Sequence, residues 1–188
     1  MQRTISQEEI MVEGWLKEAV EAGLVIAYAC QPKSFELIAK KTVNVTVQMK
    51  TKTKVVAKHM CNAHTYTADF YAVLSNKGRE MLCDAFPRAS LIPNWGVGIL
   101  YIDAKGTHTI QHGQVQMFSC NQKLVFDLFG TWVEKVVPWN TKGKCLFKST
   151  WCPESYRWKN GRKVPTLTTK GEACRTVQEF IAMKGGGE

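Results

Sequence analysis

Asp69 and the triplet Asp103-Ala104-Lys105 are the residues whose types and spacing could do chemistry. The triplet closes the apolar run "GILYIDAKG" (98–106), which reads as a buried strand. Alternate side chains of a strand share a face, so Asp103 and Lys105 project together while Leu100, Ile102 and Ala104 point the other way. The run "TYTADFYAVL" (65–74) reads as another strand, with Asp69 on the face of Thr67, Tyr71 and Val73. If the two strands are neighbours, their carboxylates converge, and converging carboxylates repel unless a cation sits between them. Hard oxygen donors select Mg²⁺ or Mn²⁺ over zinc. Lys105 beside the metal would orient or deprotonate a water, or neutralise charge growing on a phosphate. Metal, water and lysine together suit phosphodiester hydrolysis.

These residues need elements to position them. Residues 6–22 predict an amphipathic helix, with Ser6 as cap, Glu9 three positions on, and Gly23 as the stop. Ile10, Val12, Leu16, Ala19 and Val20 give it a face to bury. Two short strands follow, broken at Pro32. The stretch "TVNVTVQMKTKTKVVAKH" then predicts a β-hairpin with one face buried and the other wet. After the Asp69 strand comes an insertion at 76–96 containing a helix, "NKGREMLCDAF". A helix bounded by glycines covers 113–130, "TWVEKVVP" is a further strand, and a last helix falls near 169–183. The order predicts an α/β fold with a mixed β-sheet flanked by helices, residues 1–137 forming the core. Residues 138–188 form a basic, loop-rich C-terminal extension with a terminal helix.

Composition narrows the partners. The chain has 188 residues, 45% of them hydrophobic, and a net charge of +9. The charge is unevenly placed. Acidic residues dominate 1–30, whereas 33–58 carries seven lysines against the single Glu36, and 135–175 is basic again. Clustered lysines point to a polyanion, nucleic acid first among them, although a well-solvated surface has the same composition. Lys50, Lys52, Lys54 and Lys58 would line the hairpin facing a DNA backbone, or equally protect its edge from aggregation. Arg157, Arg162 and Lys163, set among tryptophans, are further candidates for gripping nucleic acid. No apolar run has the length of a membrane span, and the N-terminus lacks the apolar core of a signal peptide. Seven cysteines without regular spacing fit a reducing compartment. The expectation is a soluble cytoplasmic protein, in the host cytoplasm if the chain is phage-encoded. No Gly-rich phosphate loop is present, which argues against an NTPase or kinase.

Asp69, then Asp103-Ala104-Lys105 on a later strand, then a glycine and a helix, resembles the PD-(D/E)xK (restriction-endonuclease-like) nuclease superfamily. "HTYTADF" followed by "YIDAKG" looks most like phage junction-resolving endonucleases and related small phage and transposon nucleases. Ala68 stands where the motif has its proline. The resemblance covers about residues 8–137 and implies a metal-dependent DNA endonuclease. Asp69, Asp103 and the Ala104 carbonyl would hold Mg²⁺ or Mn²⁺, Lys105 would be the catalytic lysine, and Glu13 on the first helix would complete the acidic cluster. Glu9, Glu18 and Glu21 compete with Glu13 for that role. Gln122 resembles a helix glutamine that some relatives place near the site, and Lys123 is an equal candidate for touching a phosphate. The resemblance also implies selectivity for branched DNA such as a Holliday junction, a part in DNA recombination, and a symmetric homodimer. Three alternatives stand beside it: a nucleic-acid-binding protein that keeps the fold without cutting, an RNA-directed nuclease, and a zinc-stabilised module built on His59, Cys61 and His64.

Overall fold

The computed structural model describes residues 5–32, 34–106, 114–140, 143–157 and 175–186, apart from the side chains of residues 114 and 115. Helix α1 (Gln7–Glu21) begins as its sequence predicts, with the Ser6 side chain accepting a hydrogen bond from the Glu9 N–H at 3.2 Å. Gly23, at φ +70°, turns the chain out of the helix into strand β1 (Val25–Cys30). Strands β2 (Phe35–Ile38), β3 (Lys41–Gln48), β4 (Thr53–Cys61) and β5 (His64–Tyr66) follow, then β6 (Phe70–Leu74). Helices α2 (Asn76–Leu82) and α3 (Pro93–Gly96) occupy the insertion. Strand β7 (Ile99–Ala104), helix α4 (Gln114–Phe129) and strand β8 (Val133–Val136) complete the sheet. Helices α5 (Leu146–Ser149) and α6 (Val177–Gly185) close the described chain.

The main sheet has the order β1-β6-β7-β8. β6 lies antiparallel to both β1 and β7, while β8 runs parallel to β7, so the sheet is mixed and α4 sits in the β7–β8 connection. Parallel neighbours need such a crossover. Gly98 sets the start of β7. Its φ of +80° suits glycine, its carbonyl accepts from the Leu74 N–H at 2.7 Å, and an added Cβ would lie 2.5 Å from the Leu74 oxygen. That close approach fixes how β7 registers on β6.

The two faces of the sheet bury different clusters. One holds Leu100, Ile102 and Ala104 of β7 against Val12, Trp15 and Leu16 of α1. The same cluster takes in Phe147, Trp151 and Phe180 from beyond residue 138. Trp15 and Trp151 stack with centroids 4.6 Å apart, and the Trp15 indole donates to Thr150 Oγ1 at 2.9 Å. The other face buries Ala68, Val125 and Val133 with Tyr66 and Phe118.

Two expectations change. The stretch 65–74 is not one strand. It breaks at 67–69, so that β5 pairs with β2 and β6 passes into the main sheet. The fully buried Ala68 sits at the crossing between them. The β3–β4 hairpin has no buried face either: only Val45 and Val56, opposite each other, are half-buried. Its two strands form a sheet of their own, so no second layer covers the valines. The last helix starts at Val177, capped by Thr176 and Glu179 in a reciprocal box, and the basic stretch 158–174 lies outside the described residues.

Candidate active site

The β6–β7 register pairs Phe70 with Ile102, and Asp69, in the bend just before β6, reaches the backbone of β7 beside Asp103. The two strands on which the sequence placed its aspartates are therefore neighbours, across the whole 76–96 insertion. Both carboxylates are buried, Asp69 7% and Asp103 3% exposed.

Each oxygen has a defined setting. Asp69 Oδ2 accepts from the Ala104 N–H at 2.9 Å, which ties the first aspartate to the backbone of the second strand. Asp103 Oδ2 accepts from the Tyr66 hydroxyl. Asp103 Oδ1 meets the Lys105 ammonium as an ion pair. Lys105 Nζ also stands 5.7 Å from the centroid of Phe118. The alternation of β7 thus delivers Asp103 and Lys105 to one face, as its sequence predicts.

Burial pushes the Asp103 carboxyl up to about 6; Lys105 pulls against that shift and the neighbouring Asp69 charge adds to it. Burial, then Asp103 and Asp69, push the Tyr66 phenol up as well, so it stays a donor. The sign for stability follows. A carboxyl whose folded pKa is raised keeps its proton in the folded state after the unfolded chain has lost it. The Asp103 contribution is therefore full below about pH 4 and is lost as pH rises to about 6. We expect metal-free wild type to lose up to about 3 kcal/mol relative to Asp103→Asn between pH 4 and pH 7. Urea unfolding of both proteins in EDTA across that range checks it; parallel pH profiles would contradict the shift.

A cavity of about 380 Å³ opens over Tyr66, Asp103 and Lys105, and Asp69 lies behind Asp103 rather than in its lining. Its lining includes Glu8 and Glu9 of α1, Tyr66, Asp103, Lys105, Gly106, and Met117, Phe118 and Asn121 of α4. Asn121 Oδ1 lies 2.8 Å from His64 Nε2, so β5 meets both sides of the site, through Tyr66 at Asp103 and His64 at α4.

The other residues singled out by sequence are distributed differently. Glu13 does not line the cavity; it pairs with Lys17 at 2.9 Å, one helical turn from Glu9. Gln122 is buried and its amide donates to the Val133 carbonyl at 2.6 Å, joining α4 to β8. Lys123 is exposed on α4. Arg157 pairs with Glu18 at 3.2 Å against the first helix. Lys50, Lys52, Lys54 and Lys58 are exposed on the hairpin. Arg162 and Lys163 lie outside the described residues. His59 and Cys61 are exposed on β4, while His64 bonds to Asn121.

Sequence reasoning missed Tyr66 and Asn121, and it offered His64 only as a zinc ligand. Reading 65–74 as an unbroken strand put Tyr66 on the face opposite Asp69, and the break at 67–69 reverses that placement. Asn121 is one residue from Gln122, and only the rotation of α4 on the sheet decides which of them faces the cavity.

Among the described residues, no group of three or more His, Cys, Asp and Glu side chains stands close enough to hold a metal ion. Magnesium asks for less, since one or two carboxylates with water and substrate phosphate complete its shell. Asp69, Asp103 and the adjoining Ala104 carbonyl are hard oxygen donors of that kind, and Asp103 Oδ1, paired with Lys105, is the atom a cation would compete for. The donor set fits Mg²⁺ or Mn²⁺ and offers zinc no nitrogen or sulfur. No helix of the described residues is long and apolar enough to cross a membrane. Compared with known proteins, the chain matches no family model, no curated protein and no solved structure.

Proposed function

We propose that this protein is a divalent-metal-dependent DNA endonuclease with a restriction-endonuclease-like core. The observation that carries the reading is Asp69 anchored on the Ala104 N–H beside Asp103, with Lys105 against the second carboxylate. A bound Mg²⁺ or Mn²⁺ would supply an activated water and charge compensation at the scissile phosphate. The chain does the rest. The Ala104 N–H holds Asp69 in place, and Tyr66 holds one oxygen of Asp103 while the other faces Lys105. Lys105, drawn off Asp103 when that charge is otherwise compensated, is within reach of an incoming water or phosphate oxygen. Glu9, at the rim of the cavity, is better placed than Glu13 to extend the acidic cluster.

The net charge of +9 and the exposed lysines support a nucleic-acid substrate. Resemblance to phage junction-resolving enzymes supports branched DNA as the target and a homodimer as the working form. A second reading is a binding protein that keeps the architecture without cutting. It is favoured by the Asp103–Lys105 ion pair, which satisfies both charges without a metal.

One assay separates the two. Wild type and Lys105→Ala are incubated with supercoiled plasmid, linear duplex, a four-way junction, single strands and structured RNA, with Mg²⁺ or with EDTA. Wild type is expected to cut DNA only with Mg²⁺, and Lys105→Ala to cut about 10²-fold to 10⁴-fold more slowly. Equal rates for the two proteins would leave the binding role, and preferential cleavage of RNA would change the substrate.

A further inference from the structure

The β3–β4 hairpin is built unlike the rest of the molecule. Strand β2 pairs with β5, and the same two chain segments continue outward as β3 paired with β4. The inner part is anchored at the site by Tyr66 on Asp103 and His64 on Asn121. The outer part has no buried residue, although an eight-residue strand reaches about 27 Å at roughly 3.4 Å per residue. A two-stranded ribbon on its own is marginal in water. Residues 41–61 carry five lysines, Lys41, Lys50, Lys52, Lys54 and Lys58, and no acidic residue.

The register divides the ribbon's two faces. Val43 opposes Lys58, Val45 opposes Val56 and Val47 opposes Lys54, giving one face of valines flanked by lysines. Thr42 opposes His59, Asn44 opposes Ala57, Thr46 opposes Val55 and Gln48 opposes Thr53 on the other. Gln48 Oε1 accepts from the Thr53 hydroxyl at 2.7 Å. That second face is rich in amide and hydroxyl groups and has no acid, so it offers donors and acceptors without repelling a polyanion.

We infer that the β3–β4 ribbon is a duplex-DNA arm that enters a groove beside the scissile phosphate, its amide–hydroxyl face toward the base edges, while Lys50 and Lys52 of the turn and the long side chains of Lys54 and Lys58 reach round the ribbon's edges to the phosphates that line the groove. The choice of DNA rests on the nuclease reading above. A major groove of about 12 Å admits a two-stranded ribbon, and side-chain amides and hydroxyls are the groups that read base edges. A second copy of the chain is the poorer occupant, because two such ribbons would bring ten like charges together and lysines along a strand edge oppose sheet-to-sheet pairing.

The test measures binding apart from chemistry. Fluorescence anisotropy with a 30-base-pair duplex is followed in EDTA across a salt series, for three proteins of matching circular dichroism. These are wild type, the quadruple variant Lys50→Gln, Lys52→Gln, Lys54→Gln and Lys58→Gln, and the double variant Asn44→Ala with Thr46→Ala. The quadruple variant is expected to bind at least about tenfold more weakly, with its log–log salt slope reduced by about three to four. The double variant is expected to weaken binding with the slope unchanged. Unchanged affinity and slope in the quadruple variant would overturn the arm. So would a ribbon-dependent dimer, in sedimentation equilibrium, that does not bind the duplex. Wild type that binds through its lysines but never cuts would end the nuclease reading and leave the arm standing. Wild type that cuts while its quadruple variant binds unchanged would do the reverse.

Discussion

Asp103→Asn is expected to lower the rate of DNA cleavage by at least about 10³-fold while raising the stability of the metal-free fold at pH 7. The loss follows from the geometry: asparagine keeps the shape and can still accept from Tyr66, but it removes the charge that opposes Asp69 in gripping a cation. Several kcal/mol of transition-state stabilisation goes with that charge, and each 1.36 kcal/mol is about a factor of ten in rate. The gain follows from burial. Asp103 is only 3% exposed, and its pKa of about 6 means that ionising it at neutral pH costs folding free energy. That pKa already includes the opposing pull of the Lys105 ion pair, so the net gain in the variant is up to about 3 kcal/mol. Plasmid nicking and urea unfolding at pH 7 read the two effects. A variant that nicks like wild type, or one that is less stable, would contradict the placement of this carboxylate.

The second large effect lies away from the site. Trp15→Ala is expected to cost about 3–5 kcal/mol, close to the whole margin of many domains. Trp15 is fully buried, stacks on Trp151, meets Phe86 edge-on at 6.0 Å and donates to Thr150. Its removal opens a cavity between α1 and the C-terminal segment, and α1 carries Glu8 and Glu9 to the rim of the active-site cavity. Trp15→Phe, which keeps most of the stack and loses the indole donor, should cost clearly less. Denaturant midpoints for both variants check this; a cost under about 1 kcal/mol for alanine would mean that the C-terminal segment does not brace the first helix.

These two sites show what the chain discloses by itself. Local signals carried through: Ser6 with Glu9 marks the start of α1, and the alternation of β7 places Asp103 and Lys105 together. The mixed sheet follows from the order of the elements. The remainder depends on contacts between distant segments. Glu9 and Glu13 are one turn apart on the same helix face, and only the position of α1 against the sheet brings Glu9 rather than Glu13 to the cavity. Gln122 and Asn121 are separated by a rotation of α4 that the buried Phe118 and Val125 fix. The role of Trp151 was hidden because its partner, Trp15, is far away in sequence. The projecting hairpin was misread because alternation of valine with polar residues normally signals a covered face, and here no layer covers it.

The central claim is that Asp69 and Asp103 share one divalent cation. Calorimetric titration of Mn²⁺ into wild type, Asp69→Asn and Asp103→Asn at pH 7.5 tests it without recourse to activity. The account predicts one site in wild type, weakened at least about tenfold by either substitution. Wild-type affinity retained in both single variants would contradict it.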